Sequence, residues 1–466
     1  MAIPSDIAFA SISTLGRRLR AKEFTAVELA EFFLHRLETI GVEYNAVVTV
    51  TRELALTQAR QADAELLGGK DRGPLHGIPY GAKDLLATQG IPTSWGAAPL
   101  KDQIFDFDAT VVRRLRDAGA VLVAKLAMIE LAGGLGYHQP DASFTGPCRN
   151  PWDKTTWSGG SSSGSGTAVG AGLVPFAIGS ETWGSIINPA SFCGVTGLRP
   201  TYGRVSRHGA MALSWTMDKI GPLCRSAEDA GLLLQAIAGP DPEDPTTSHL
   251  SFQFPPTTSI KPPFQLATIK GAAGKVQPEV QANFEASLEV LRQFATFEEI
   301  QLPALPYPIV AGTIISCEMS AAFENMITSG DVWKLTAPED RHGAHAAQFI
   351  PAKDYINALR IRGRIQKALD ELLAPFDAIV IPGYCTVAGP LESDFKTYGT
   401  AFRNSEIGGG GNAAGIPALC VPNGFGERNL PTGIQFVGRA FEEQRLIAIA
   451  QAYQAVTDWH RRYPPL

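Results

Sequence analysis

The feature that most constrains the fold of this chain is a run of nine Ser and Gly residues, SGGSSSGSG, at positions 158–166. By composition alone, such a run is typical of a flexible linker between domains. It continues directly into TAVGAGLVPFAIG (167–179), whose small and apolar residues are typical of a protein interior. We therefore expect either a hinge or a site built from backbone groups and hydroxyls, because glycine allows close backbone approach and unusual dihedral angles.

Length and charge exclude several classes of function. The chain has 466 residues, of which 45% are hydrophobic, and its 40 basic and 46 acidic residues are well mixed. No basic stripe marks a nucleic-acid surface. The N-terminus, MAIPSDIAFA, lacks the basic and apolar regions of a secretory signal, and no apolar run is long enough to span a membrane. We expect a cytoplasmic protein without nucleic-acid or membrane partners, and a homodimer is compatible with this sequence.

The cysteines indicate neither a metal site nor a disulfide framework. No CxxC motif or Cys/His cluster is present, and small thiols in a reducing compartment are the expectation. The six positions are Cys148, Cys193, Cys224, Cys317, Cys385 and Cys420. We expect no metal and no cofactor.

Helical patterns alternate with short apolar segments along most of the chain. A capping box at Thr25–Glu28 opens one helix, and residues 51–68 form a second. The segment VLVAKL (121–126) follows a helical pattern and reads as a buried strand. This alternation predicts an α/β fold.

Domain organisation depends on a segment rich in Pro, Ser and Thr at about 239–264. It is either an inter-domain linker or a long surface connection, and we favour the connection because helix–strand alternation resumes beyond it. The prediction is one domain over 1–466. Its catalytic core covers about 70–225, and about 265–466 completes the sheet and the substrate cleft.

Two serines compete for the role of nucleophile. Ser162 lies in a G-x-S-x-G match, but the preceding NPWDKTTW is no strand, and neither His208 nor His460 has a persuasive context as its partner. Ser185 lies in a Gly-containing loop that can offer backbone N–H groups to an oxyanion. Lys83, in the Gly-punctuated segment HGIPYGAKDLL, can act as the base if burial makes it neutral.

Several long motifs, in order, make the chain resemble the amidase signature family. The resemblance implies a single-domain α/β/α sandwich around a large mixed, mainly parallel twisted sheet. It also implies hydrolysis of an amide C–N bond in a small-molecule amide or carbamate, without metal or cofactor. The motifs are PLHGIPYGAKD (74–84), GGSSSGS (159–165), GSETWGSIINPA (179–190), FCGVTGLRPTYG (192–203), TMDKIGPL (216–223) and NAAGIPALCVPNGF (412–425).

The family's Ser–cis-Ser–Lys triad carries over residue by residue. Lys83 matches the base, Ser161 matches the bridging serine on a cis peptide, and Ser185 matches the nucleophile. The resemblance further implies an oxyanion hole formed by backbone N–H groups. Its members are Thr182, Trp183, Gly184 and Ser185.

One departure from the family pattern concerns the substrate pocket. Trp183 replaces a family glycine, so its indole either packs under the loop or forms a wall of the pocket. Ala132, Gly133 and Gly134 suggest a wall of small residues opposite it. The sequence therefore predicts a largely apolar pocket for uncharged amides, anilides or aryl carbamates.

A second departure concerns the charges around the nucleophile. Glu181 keeps the family's acid, but Ile187 replaces the arginine that pairs with it. A buried carboxylate needs a partner. We expect that partner to be Asn188 or Arg199.

Two other functions stay open at this point. A carbamate or ester hydrolase would use the same site. A glutamine-hydrolysing A subunit of a tRNA-dependent amidotransferase would need an acid for the amino group of glutamine, and TAFRNSEIGGGGN (400–412) offers no clear match.

Overall fold

A computed structural model describes residues 3–398, 402 and 406–465. Its strands follow the apolar segments of the sequence, and VLVAKL forms one of them as predicted. The strands are Val47–Val50 (β1), Pro79–Lys83 (β2), Val121–Leu126 (β3), Phe176–Glu181 (β4), Thr196–Arg199 (β5), Lys219–Cys224 (β6), Phe264–Ile269 (β7), Ala295–Ile300 (β8), Ala378–Pro382 (β9), Ala418–Phe425 (β10) and Pro431–Val437 (β11).

The α-helices include both predicted N-terminal helices, and the predicted capping box of Thr25 and Glu28 is present. The helices are Ile12–Arg20 (α1), Ala26–Thr39 (α2), Arg52–Leu67 (α3), Thr110–Asp117 (α4), Ser163–Gly170 (α5), Ile187–Cys193 (α6), Ala227–Ile237 (α7), Pro278–Leu291 (α8), Tyr307–Ala322 (α9), Glu324–Ser329 (α10), Pro338–Ala347 (α11), Ala352–Leu373 (α12), Phe395–Tyr398 (α13), Ile407–Ala414 (α14) and Glu443–Ala455 (α15).

The strands form one mixed sheet in the order β1-β3-β2-β4-β6-β5-β10-β11-β9-β7-β8. Every residue of β3, β4, β6 and β11 is buried. Because successive side chains of a strand point to opposite faces, both faces of the sheet are covered there. This is the predicted α/β/α sandwich.

The expectation of a mainly parallel sheet is corrected. Among the described strands, four pairings are parallel, β2 with β3 and β4, and β7 with β8 and β9. Six are antiparallel. The reason is local: β10 and β11 are joined by a short connection, and no α-helix lies between β5 and β6, whereas parallel neighbours need a long crossover.

Residues 239–263 contain no α-helix or strand. The segment returns to the core, because the Ser248 N–H donates to the Gly203 carbonyl at 2.8 Å and Phe252 is buried.

The centre of the sheet decides where the predicted site residues meet. Strand β2 lies between β3 and β4 and runs parallel to both. Lys83 is the last residue of β2, and Glu181 is the last residue of β4. Parallel neighbours end at the same edge of a sheet. Lys83 and the loop that carries Ser185 are therefore brought together.

Candidate active site

Lys83 is a completely buried lysine whose amine touches three hydroxyls. Its Nζ lies 2.8 Å from Ser161 Oγ and 3.0 Å from both Ser162 Oγ and Ser180 Oγ. Burial lowers the pKa of Lys83 to about 7, against the opposing effect of the Asp218 and Glu181 carboxylates. A lysine with this pKa is substantially neutral near pH 7 and can accept a proton.

The Ser/Gly run is part of this cluster and is no linker. The Gly160–Ser161 peptide bond is cis, and the Gly160 N–H donates to Asn188 Oδ1 at 2.9 Å. Beyond Ser161 the run becomes α5, which packs closely against the chain after β3. A Cβ at Gly164 would lie only 2.5 Å from the Ala127 nitrogen, so a side chain there would force the helix away.

Ser185 lies in the turn between β4 and α6. Its carbonyl accepts a hydrogen bond from the Ser162 N–H at 3.2 Å, which ties this turn to the Ser/Gly run. In the described part of the chain, the Ser185 hydroxyl has no hydrogen-bond partner, and the residue is 8% exposed. Its oxygen is therefore free to approach another group.

The loop Thr182–Ser185 presents a series of unused donors. None of its four backbone N–H groups donates to another residue within 3–398, 402 and 406–465. Gly184 has φ +87°, a left-handed conformation that favours glycine, and the space beside its Cα is open. Adjacent unpaired N–H groups next to a serine hydroxyl can stabilise an oxyanion.

Glu181, which precedes this loop, forms one buried ion pair and accepts two backbone hydrogen bonds. Glu181 Oε2 accepts the N–H groups of Ile186 and Ile187, and its Oε1 lies 2.9 Å from Arg199 Nη1. Of the two partners expected for Glu181, the structure gives Arg199, since Asn188 bonds to Gly160 instead.

Two supporting residues were not singled out from the sequence. Ser180 contacts the Lys83 amine, and Lys219 Nζ lies 3.2 Å from the Thr182 carbonyl oxygen. A lysine at the start of the apolar strand KIGPLC was the available signal for Lys219, because charged residues are rarely buried without a partner. Asp218 accepts a hydrogen bond from the Thr182 hydroxyl at 2.5 Å.

The predicted pocket residues lie at two different cavities. Ala132 lines one cavity with Thr182, Met211 and Leu213. Trp183 lines the other, where its indole faces Gly409 of α14. Trp183 is 42% exposed and lines this cavity, so its side chain is not packed under the loop.

Gly133 and Gly134 line neither of these two cavities. They lie against the Tyr137 and Leu213 side chains. The expectation that Ala132, Gly133 and Gly134 form a wall opposite Trp183 is corrected, because Ala132 and Thr182 line one cavity whereas Trp183 and Gly184 line the other.

Two negative findings apply to the described ranges alone. Within them, no group of three or more His, Cys, Asp or Glu side chains is placed to hold a metal ion. No helix there has the length and apolar character needed to cross a bilayer.

Comparison with known proteins identifies the family. The family model described as Amidase matches residues 28–447. The chain belongs to the amidase signature family. It is an amide-hydrolysing enzyme, and Lys83, Ser161 and Ser185 all lie inside the matched region.

Three proteins similar to this amidase are amidotransferase A subunits or a peptide amidase by name. The A subunit of glutamyl-tRNA(Gln) amidotransferase from Coxiella burnetii (strain Dugway 5J108-111) is 36% identical over 98% of this chain and 99% of its own length. The native peptide amidase of Stenotrophomonas maltophilia has a TM-score of 0.87 at 30% identity, covering 99% of both chains. The A subunit of glutamyl-tRNA(Gln) amidotransferase from Thermotoga maritima has a TM-score of 0.81 at 28% identity, covering 100% of this chain and 99% of its own.

Proposed function

We propose that this amidase hydrolyses uncharged amides and anilides through an acyl-enzyme on Ser185. The observation that carries the proposal is the buried contact between Lys83 Nζ and Ser161 Oγ at 2.8 Å. Because burial lowers the pKa of Lys83 to about 7, the amine can serve as a base without histidine.

The proposed reaction has two halves. The proton of Ser185 passes to Ser161 Oγ, whose own proton passes to Lys83 Nζ, while Ser185 Oγ forms a bond to the substrate carbonyl carbon. The N–H groups of Thr182–Ser185 stabilise the oxyanion. The C–N bond then breaks as the proton returns to the leaving amine, and water cleaves the acyl-enzyme by the same relay.

The residues that line the cavity beside Thr182 support the proposal of an uncharged substrate. Its apolar lining includes Leu85, Ala132, Met211, Leu213 and Ile220. The charged groups at its edge are already engaged, since Arg207 faces Asp244 and Asp218 accepts backbone N–H groups. A charged substrate group would be buried there without a partner, which is costly.

A second candidate is a glutamine-hydrolysing A subunit that works with partner proteins and a tRNA. It is favoured by the 36% identity to a protein of that name over nearly the whole chain. Within the segment that has no clear acidic match, residues 399–401 and 403–405 lie outside the described residues. A carbamate or ester hydrolase, the third candidate, would use the same acyl chemistry.

The remaining parts of the proposal concern organisation. One sheet joins strands from β1 to β11, which supports a single domain over 1–466. We propose that the enzyme acts in the cytoplasm on a small-molecule substrate, without nucleic acid.

The test is a hydrolysis panel with the purified chain alone. The panel contains an amide, an anilide, a carbamate and an ester of one acyl group, together with free glutamine. We expect the neutral anilide to have a higher kcat/KM than glutamine. A higher kcat/KM for glutamine would reject the uncharged-substrate proposal and support the second candidate. Preference for the carbamate or the ester would support the third.

A further inference from the structure

The amine of Lys219 is bonded to the loop that carries the unused donors. Its Nζ donates to the Thr182 carbonyl at 3.2 Å and also to the Met217 carbonyl. Lys219 is 2% exposed and lies opposite Glu181 in the register of β4 and β6. The proposed reaction assigns no role to this buried amine.

The hydrogen bond from Lys219 to the Thr182 carbonyl also determines where the Trp183 N–H points. The Thr182 carbonyl and the Trp183 N–H belong to one peptide unit, and Thr182–Trp183 is not among the cis peptides of the described chain. In a planar trans unit the C=O and N–H groups point in opposite directions. A carbonyl held toward Lys219 therefore leaves the Trp183 N–H pointing away from it, and that N–H has no partner in the described chain.

We propose that Lys219 is a positioning residue, which fixes the Thr182–Trp183 peptide so that the Trp183 N–H is directed at the oxyanion. The inference rests on the proposed function, because it explains how the same loop is oriented. Asp218 completes the arrangement by accepting the Thr182 hydroxyl, so that both the side chain and the carbonyl of Thr182 are fixed.

The chemistry of the amine suits this role. Burial, together with the nearby Arg199 charge, lowers the pKa of Lys219 well below its usual value, against the Glu181 and Asp218 carboxylates. A neutral amine keeps two N–H donors, and two carbonyl oxygens accept from it. The contact therefore does not require an ammonium ion.

Ligand affinities can distinguish an orienting role of Lys219 from a role in packing. A loss of packing would weaken every ligand of the site alike. A loss of peptide orientation would weaken the ligands that carry an oxyanion and spare those that do not. The difference between the two kinds of ligand is therefore the measurement of interest.

The experiment compares Lys219→Met with Lys219→Gln. Methionine keeps a long side chain but has no donor, whereas glutamine keeps an amide donor. For each variant, kcat and KM are measured on a neutral anilide. Ki is measured for a trifluoromethyl ketone with the same acyl group, which adds to a serine and forms an oxyanion, and for the corresponding alcohol, which does not.

We expect Lys219→Met to lower kcat about 10- to 100-fold, with KM changed less than about threefold. The Ki of the ketone should rise by the same factor as kcat falls, while the Ki of the alcohol stays within about threefold. Lys219→Gln should recover part of both losses. If the methionine variant fails to fold in a thermal melt, the glutamine variant is tested by the same ratio of ketone to alcohol.

Three outcomes would overturn the inference. The first is a Lys219→Met enzyme with the kcat of the wild type. The second is an equal loss of affinity for the ketone and the alcohol, which indicates packing. The third is a wild type that hydrolyses no amide and is not inhibited by the ketone, which would overturn the proposed function as well; the first two leave the proposed function standing.

Discussion

Arg199 Nη1 lies 2.9 Å from Oε1 of Glu181, the residue that precedes the loop Thr182–Ser185, and both side chains are buried. The guanidinium also donates twice to the Ile416 carbonyl, at 3.0 and 3.2 Å. Burial alone would raise the pKa of Glu181, but the Arg199 charge opposes it and the pKa falls to about 2. Ile187 stands where the family pattern has an arginine, and the charge of the Glu181 carboxylate is instead balanced by Arg199 on β5.

The first prediction concerns this pair. Arg199→Met should lower the free energy of unfolding by about 3–5 kcal/mol at pH 7, because it leaves the Glu181 carboxylate buried without its charge partner. Urea denaturation followed by circular dichroism measures the change. The control is Arg439→Met, which removes a pair with Asp370 at the surface and should cost less than about 1 kcal/mol. Equal losses in the two variants would contradict the prediction.

The nucleophile can be identified by covalent labelling. A fluorophosphonate or sulfonyl fluoride probe should label Ser185, and Ser185→Ala should remove both the label and the hydrolysis. Peptide mapping by mass spectrometry locates the label. A label on Ser162 would favour the G-x-S-x-G interpretation, although that hydroxyl is completely buried against Lys83 and Ser180.

The pH dependence should report the state of Lys83. In the proposed mechanism the neutral amine is the active form, so kcat/KM on a neutral anilide should rise with pH up to about 7 and then level off. Below that pKa the protonated amine dominates, so kcat/KM should fall as the pH is lowered. A profile that is flat between pH 5 and pH 9, values chosen to bracket the pKa by about two units, would exclude this assignment.

Replacement of the base gives an independent prediction. Lys83→Ala should lower kcat/KM about 10²- to 10⁴-fold, because no other base contacts Ser161 in the described part of the chain. Steady-state kinetics of anilide hydrolysis measure the loss of kcat/KM. Retention of more than about a tenth of the wild-type rate would remove Lys83 from the mechanism, since general bases contribute far more than that.

Trp183 should act on selectivity. Its indole is half exposed and faces α14, so Trp183→Gly should change the ratio of kcat/KM between aryl and alkyl substrates about tenfold. Acyl-enzyme formation on a minimal acetamide-type substrate should change less. A variant that slows all substrates by one common factor would show that the indole serves the loop and not the pocket.

Much of the fold was predictable because its signals are local. The helices α2 and α3 follow from a capping box and from apolar spacing, and β3 from a short apolar run. Strand direction was not predictable from such signals, because it depends on which strands become neighbours. Strand β5 pairs with β10, which is far along the chain, and with β6 across a connection that contains no helix. The expectation of a mainly parallel sheet failed at these pairings.

The sequence by itself determined the family, an α/β fold and which serines and lysine to consider, because Lys83, Ser161 and Ser185 lie in contiguous motifs whose residue types the chemistry requires. Only the tertiary structure decided that Arg199 pairs with Glu181, and that Lys219 holds the Thr182 carbonyl. It also separated the cavity of Ala132 from that of Trp183. The physical reason is that ion pairs, carbonyl contacts and cavity walls depend on which strand ends meet in space.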